Sequence, residues 1–190
     1  MRMDRVILHC DLNNFYASVE QKAHPEYDGM PLAVCGDPEA RHGIVLAKNM
    51  LAKAAGVQTG EAIWMSRKKC PGIVFVPPHY DEYVRYSKEI FALYTEFTDR
   101  VESFGLDECW LDVTGSLKLF GCDGKALADR IRETVKARTG LTISVGVSFT
   151  KVLAKLGSDL KKPDATVVLD RAHYMDIVGG MSPSELIMIG

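Results

Sequence analysis

The stretch that decides the fold is Ser103-Phe104-Gly105-Leu106-Asp107-Glu108-Cys109-Trp110-Leu111-Asp112. Apolar runs flank a turn and two adjacent carboxylates, the pattern of a hairpin. Side chains alternate along a strand, so neighbouring acids share one edge only at a turn or strand end. Keeping both ionised there is costly unless something positive lies between them. Mg²⁺ suits such hard oxygen ligands. A third acid, Asp11, falls at the end of the apolar run Arg5 to Cys10. Three carboxylates arriving from two strands can hold two metal ions, an arrangement suited to phosphoryl or nucleotidyl transfer. The same residues admit a plainer reading, in which Asp11 caps a helix and Asp107-Glu108 makes a solvated turn.

Outward from this hairpin, Val101 to Phe104 and Cys109 to Val113 are its strands. Before it, Tyr80 to Phe97 is predicted as the longest helix, with Tyr83, Tyr86, Ile90, Leu93, Tyr94 and Phe97 on one face. After it come a helix over Lys125 to Arg138, a strand over Leu141 to Val147, a helix over Thr150 to Leu160 and a strand over Thr166 to Leu169. A short helix follows Asp170. At the start, Arg5 to Cys10 is a strand and Asn13 is a candidate N-cap for a helix through about Lys22. His24 to Met30 is a loop. Pro31 to Cys35, Gly43 to Ala47 and Ile73 to Val76 are predicted strands, with a turn at Gly36-Asp37-Pro38-Glu39. Helices are expected over Lys48 to Ala55 and Ile63 to Cys70. Setting aside 24–78 leaves an α+β core of the split βαβ (ferredoxin-like) kind, an antiparallel sheet with helices on one face. The 24–78 segment is then a small inserted α/β subdomain. Pro183 to Gly190 has no terminal cap or tail and is read as an interrupted chain.

The composition excludes several classes. The 190 residues are 47% apolar, ample for a core. The net charge of −2 is unlike a chain that wraps nucleic acid unaided. Five scattered cysteines (Cys10, Cys35, Cys70, Cys109, Cys122) form no Cys-x-x-Cys and read as reduced thiols of a cytoplasmic protein. No signal peptide or membrane-length apolar run is present, so no membrane partner is expected. His9, His24, His42, His79 and His173 show no metal spacing. Gly121-Cys122-Asp123-Gly124-Lys125 lacks the length and the following Ser or Thr of a P-loop. Asp112, further along the same strand, could assist the acidic pair but reads better as a surface acid.

Three ordered motifs carry a family resemblance. His9-Cys10-Asp11-Leu12-Asn13-Asn14-Phe15-Tyr16-Ala17-Ser18-Val19-Glu20 resembles the first motif of the Y-family DNA polymerases, of the DNA polymerase IV type. Gly105-Leu106-Asp107-Glu108-Cys109-Trp110-Leu111-Asp112-Val113-Thr114 resembles their Ser-Ile-Asp-Glu motif. Ser144 to Lys151, Ala154-Lys155, Ser158-Asp159 and Lys161-Lys162-Pro163-Asp164 are similar to their third block. The likeness runs in order over nearly the whole chain.

The resemblance implies a palm over 1–23 and 79–170, fingers over 24–78, and over 171–190 the start of a connection to a thumb. It implies a translesion DNA polymerase acting in DNA damage tolerance and repair, with primer–template DNA and dNTP as substrates and a sliding clamp as a possible partner of a later region. Asp11, Asp107, Glu108 and the Leu12 carbonyl become ligands of two Mg²⁺ ions, with Mn²⁺ as an alternative. Glu108 lies nearest the primer 3′-hydroxyl. Tyr16 becomes a steric gate against ribose, the alternative being a core aromatic. Phe15 beside it is carried over to the nucleotide site, although core packing suits it better. Lys162 neutralises phosphate. Lys53 stands where relatives carry arginine, keeping the charge without the fork. Met50 stands where many carry a phosphate-binding tyrosine, and Lys48 or Asn49 could compensate. Asn13 replaces a frequent acid. Ser148, Lys151 and Lys155 are expected near the DNA backbone. Two rival readings are a palm-type nucleotidyl cyclase and a non-catalytic, polymerase-like DNA-binding subunit. Tyr16 and the Lys-Pro block disfavour the first, and the three acids disfavour the second.

Overall fold

The computed structural model describes residues 4–36 and 43–187. Asp37-Pro38-Glu39 and Ile189-Gly190, included in the predictions above, lie outside the described residues. In chain order the elements are β1 (Ile7–Leu12), α1 (Phe15–Ala23), a 3₁₀ turn (Pro25–Tyr27), β2 (Leu32–Cys35), β3 (Val45–Lys48), α2 (Met50–Ala54), α3 (Ile63–Lys69) and β4 (Val74–Val76). There follow α4 (Tyr80–Tyr94), β5 (Val101–Phe104), β6 (Glu108–Asp112), α5 (Leu117–Phe120), α6 (Gly124–Thr139), β7 (Ile143–Ser148), α7 (Lys151–Leu160), β8 (Thr166–Leu169), α8 (Tyr174–Val178) and a second 3₁₀ turn (Pro183–Glu185).

The chain divides into two compact units. The larger holds the residues up to Asn13 and from Ser87 onward; the smaller holds Asn14–Tyr86. This division places α1 and the first half of α4 with the smaller unit, wider than the 24–78 segment.

In the larger unit, five strands run in the order β5-β6-β1-β7-β8. β1 lies antiparallel to both β6 and β7, and β5 antiparallel to β6. β1 and β5 are therefore parallel with β6 between them, which is the split βαβ arrangement. β8 joins β7 in parallel through α7. This last pairing adds a parallel strand to the otherwise antiparallel sheet, because a helix, not a hairpin, connects it. Strand alternation separates two faces. On one, the fully buried Tyr94 of α4 meets the Cys10 thiol, and Gly124 at the start of α6 approaches Val147. On the other, α7 covers His9, Trp110 and Gly146: His9 Nδ1 is 2.8 Å from Ser158 Oγ, and Trp110 Nε1 donates to the Lys151 carbonyl at 3.1 Å. The split βαβ core thus carries α4 and α6 on one face, and α7 is an addition on the opposite one.

In the smaller unit, β2 pairs antiparallel with β3 and parallel with β4. Its alternate residues feed two small cores. Leu32 and Val34 pack with Ala17 and Val76, and Ala33 packs with Val45, Ala52, Val57 and Cys70. Asn49 ties the unit together: its Oδ1 accepts from Ala52 N and Leu32 N, and its Nδ2 donates to the Met30 carbonyl.

Several elements differ from the sequence reading. β1 continues through Leu12, because Asp11 and Leu12 still pair with Ser144 and Ile143. The N-cap of α1 is Asn14, in the left-handed region and without a side-chain cap bond. Asn13 turns its side chain to Ser144, Thr142 and Asp164 instead. α4 ends at Tyr94, and the short α5 had no strong sequence signal.

Gly146 explains how α7 comes so close to the sheet. A Cβ there would lie 1.8 Å from the Ala154 carbonyl oxygen and 2.5 Å from Ser158 N, both backbone atoms that cannot swing aside. Gly146→Ala is therefore expected to destabilise the fold by about 3 kcal/mol, read from urea denaturation. A change within experimental error would contradict this packing.

Candidate active site

The site forms where β1 lies between β6 and β7. Asp11 stands opposite Glu108 on one side and Ser144 on the other, and is 6% exposed. A carboxylate this buried needs compensation, and α7 and the segment after it supply it. Lys162 Nζ is 2.7 Å from Asp11 Oδ2, and Lys155 Nζ is 3.2 Å from the same atom. Lys155 also lies 2.7 Å from Glu108 Oε2. Asp159, one turn after Lys155 on α7, reaches both ammonium groups at 3.2 and 3.0 Å.

The two acids of the hairpin behave differently. Glu108 opens β6, while Asp107 occupies the turn and its backbone oxygen accepts from Leu12 N at 2.9 Å. Burial, then the charges of Asp11 and Glu108, push the Asp107 carboxyl up to about 6. Burial would raise Glu108 too, but bonds from His9 and Lys155 outweigh it and hold that group down to about 2. For Lys155 and Lys162, burial works against the charge, but the surrounding carboxylates overcome it and raise both.

His9 was not expected here. Its ring is fully buried and shares the Asp11 face of β1, two residues away. Ser158 Oγ donates to the Lys155 carbonyl at 2.7 Å, so toward His9 it acts as acceptor, and Nδ1 carries the proton. Its Nε2 faces Glu108 Oε2 at 3.1 Å. Ligand atoms of His9, Asp11 and Glu108 lie within 4.8 Å of one another. This donor set fits a divalent metal: the carboxylates suit Mg²⁺ or Mn²⁺, and the imidazole favours the softer of the two.

The other residues singled out by sequence distribute as follows. Leu12 ends β1 beside the site. Phe15 is 3% exposed and packs as a core side chain. Tyr16 is half-buried in the smaller unit and stacks on Tyr83. Met50 and Lys53 are exposed on α2. Burial, and then the neighbouring Lys53 charge, depress the Lys48 ammonium. Asn49 is buried and committed to its three bonds, so it cannot substitute at a phosphate.

The expected backbone grip also changes. Ser148 Oγ is buried and donates to the Leu169 carbonyl at 2.6 Å, so it holds β7 to β8 instead of a phosphate. Lys151 pairs with Glu102 and lies 5.2 Å above the Trp110 ring. Lys155 sits inside the acidic cluster. Asp112 accepts from Thr114 and faces Arg5 and Arg100. Asp123, from the rejected P-loop, caps α6 through Ala126 N. No helix among the described residues is long and apolar enough to cross a membrane.

A split βαβ sheet with carboxylates gathered at the β1–β6 edge defines a palm-type site, and the comparisons specify which. The chain belongs to the impB/mucB/samB family, whose model matches residues 10–159. It is 55% identical over 188 residues to a DNA polymerase IV of Acetivibrio thermocellus, covering 99% of this chain and 47% of that protein. It is 41% identical to a DNA polymerase IV of Moorella thermoacetica, again over 47% of the relative. Among solved structures, an insertion ternary complex of Dbh DNA polymerase matches with a TM-score of 0.89 at 30% identity, over 97% of this chain and 54% of that one. DinB from Sulfolobus solfataricus matches with a TM-score of 0.87, also at 30% identity. The fold is therefore that of the Y-family polymerases. The chain spans about half the length of these relatives.

Lys155→Met keeps the apolar stem and removes the ammonium from Asp11 and Glu108. In a chelator this is expected to cost roughly 3 kcal/mol, measured by denaturant titration. Added Mg²⁺ or Mn²⁺ should recover more stability in the variant than in the wild type. An equal metal response in both proteins would reject the idea that cation and ammonium serve the same carboxylates.

Proposed function

We propose that this chain is the palm and fingers portion of a DNA-templated DNA polymerase of the translesion type. It moves a nucleotidyl group from dNTP to a primer 3′-hydroxyl and releases pyrophosphate. The observation that carries this reading is the meeting of Asp11 and Glu108 across the β1–β6 register, with Asp107 on the adjoining turn. Asp11, Asp107, Glu108 and the Leu12 carbonyl would hold two Mg²⁺ ions, or Mn²⁺. Bound there, such ions lower the pKa of the attacking hydroxyl and steady the leaving pyrophosphate.

The protein's own groups do the rest. Four carboxylates, those of Asp11, Asp107, Glu108 and Asp159, surround two ammonium groups, so the site carries excess negative charge for divalent ions to neutralise. Lys162 keeps 28% of its side chain exposed and can exchange Asp11 for a triphosphate oxygen once the acid is otherwise compensated. Lys53 adds a second positive point for phosphate, aided by Lys48. Met50 offers no hydrogen bond there, so the triphosphate grip rests on charge more than on geometry. Tyr16 acts as the gate against a 2′-hydroxyl. Lys151 is placed to exchange Glu102 for a primer or template phosphate.

Residues 1–23 and 79–170 serve as palm, 24–78 as fingers, and 171–190 leads toward a thumb. A thumb and a further DNA-gripping domain would supply most of the duplex contact, which accounts for the near-neutral charge. A sliding clamp would engage that later region. Working on chromosomal DNA, with free thiols, the protein belongs in the bacterial cytoplasm.

The test is primer extension by the full-length protein with Mg²⁺. Asp11→Ala and the Asp107→Ala/Glu108→Ala pair are expected to lower kcat/KM by on the order of a thousandfold, the several kcal/mol that metal positioning supplies. Extension by the double variant at the wild-type rate would overturn the assignment.

A further inference from the structure

Tyr16 is not supported by α1 alone. Its ring lies flat on that of Tyr83, with centroids 4.1 Å apart and planes 8° from parallel. Tyr83 comes from the first turns of α4 and is fully buried. Its hydroxyl donates to Glu20 Oε1. Glu20 lies four residues after Tyr16, one turn along the same face of α1, and is 2% exposed. His79 Nδ1 is 3.0 Å from both Glu20 oxygens. Tyr80 adds edge contacts at 5.9 Å to Tyr16 and 5.7 Å to Tyr83. One residue of α4 therefore meets two successive turns of α1, with its ring against the first and its hydroxyl against the second. A carboxylate this deep is a costly anchor for one phenol and one half-exposed imidazole, and neither the metal site nor the phosphate grip uses it.

We propose that Tyr83 and Glu20 are positioning residues for sugar discrimination: Glu20 tethers the Tyr83 hydroxyl, and the tethered ring backs Tyr16 so that Tyr16 cannot recede before a 2′-hydroxyl. The proposal rests on the reading of Tyr16 as the sugar gate. A steric gate discriminates only by the cost of moving it. An unsupported aromatic ring changes rotamer at little cost. A ring stacked on a buried neighbour must break that stack and leave unfilled space behind. The neighbour must itself be immobile, and the hydrogen bond that a buried phenol requires supplies this. Burial, followed by the bond to Glu20, keeps the Tyr83 phenol protonated far above neutral pH, so the donor is always present.

The experiment measures single-nucleotide insertion by the full-length protein and compares kcat/KM for a dNTP and the matching rNTP. Tyr83→Leu removes the backing ring, Tyr83→Phe removes only the tether, and Glu20→Gln keeps an acceptor for it. The dNTP/rNTP ratio is expected to fall at least about tenfold in Tyr83→Leu and about threefold in Tyr83→Phe, and to stay near wild type in Glu20→Gln. The dNTP kcat should stay within about twofold of wild type in all three. Tyr16→Ala is the control and should lose more discrimination than any of them. A purely structural role would lower both substrates together and leave the ratio fixed, and that result in Tyr83→Phe and Tyr83→Leu would overturn the proposal. If Tyr83→Leu does not fold, Tyr83→Phe decides alone, because it preserves the core volume. An unchanged ratio in Tyr16→Ala would instead reject the gate itself, and this proposal with it.

Discussion

The register that sets Asp11 opposite Glu108 is the constraint on which the larger unit depends. It places a carboxylate on a central strand, out of reach of bulk water, where an unpaired charge is not tolerated. Lys155 and Lys162 answer it, and both are delivered by α7 and the residues just after it. α7 must therefore lie against the Asp11 face of the sheet. It reaches that face only because Gly146 and Gly157 let backbone approach backbone, with Gly146 Cα 3.1 Å from the position of a Gly157 Cβ. One pair of aspartate and glutamate thus reaches outward into helix placement and strand composition.

The same constraint underlies the proposed response of the site to cations. The ammonium groups hold the carboxylates in place but do not match their number. His9 joins the cluster, its Nδ1 toward Ser158 and its Nε2 toward Glu108. On the proposed reading, lysine and metal serve the same carboxylates with different reach. On that reading a lysine released from Asp11 would stay close by to meet phosphate. Glu108, held far toward its ionised form, and Asp107, held near 6, give the hairpin two acids of different readiness to ionise.

Much of this was legible in the sequence. The Asp107-Glu108 turn, the order of strands and helices, and the long apolar face of α4 follow from local pattern. Other features depend on residues far apart in the chain. Asp11 resembled a strand end because it is polar, yet cross-strand pairing keeps β1 going through Leu12. Asn13 resembled a helix cap, but its partners Ser144 and Asp164 lie more than a hundred residues away. Lys155 was read as a DNA contact, since nothing local reveals that it folds back on Asp11. His9 has no metal spacing in the usual sense. The signal was its place two residues before Asp11 on a strand, where side chains share a face. Ser148 was misread because a hydroxyl before a helix start resembles an anion site until its buried partner, the Leu169 carbonyl, is seen.

The central claim is that divalent cations take over the carboxylates which lysines hold in their absence. Anomalous diffraction at the manganese edge, from crystals of the protein with Mn²⁺ and a non-hydrolysable dNTP, tests it most directly. The account predicts anomalous peaks among Asp11, Asp107 and Glu108, with Lys162 drawn off Asp11 onto the triphosphate. Peaks elsewhere, or lysines still paired with Asp11 and Glu108 beside a bound nucleotide, would contradict it.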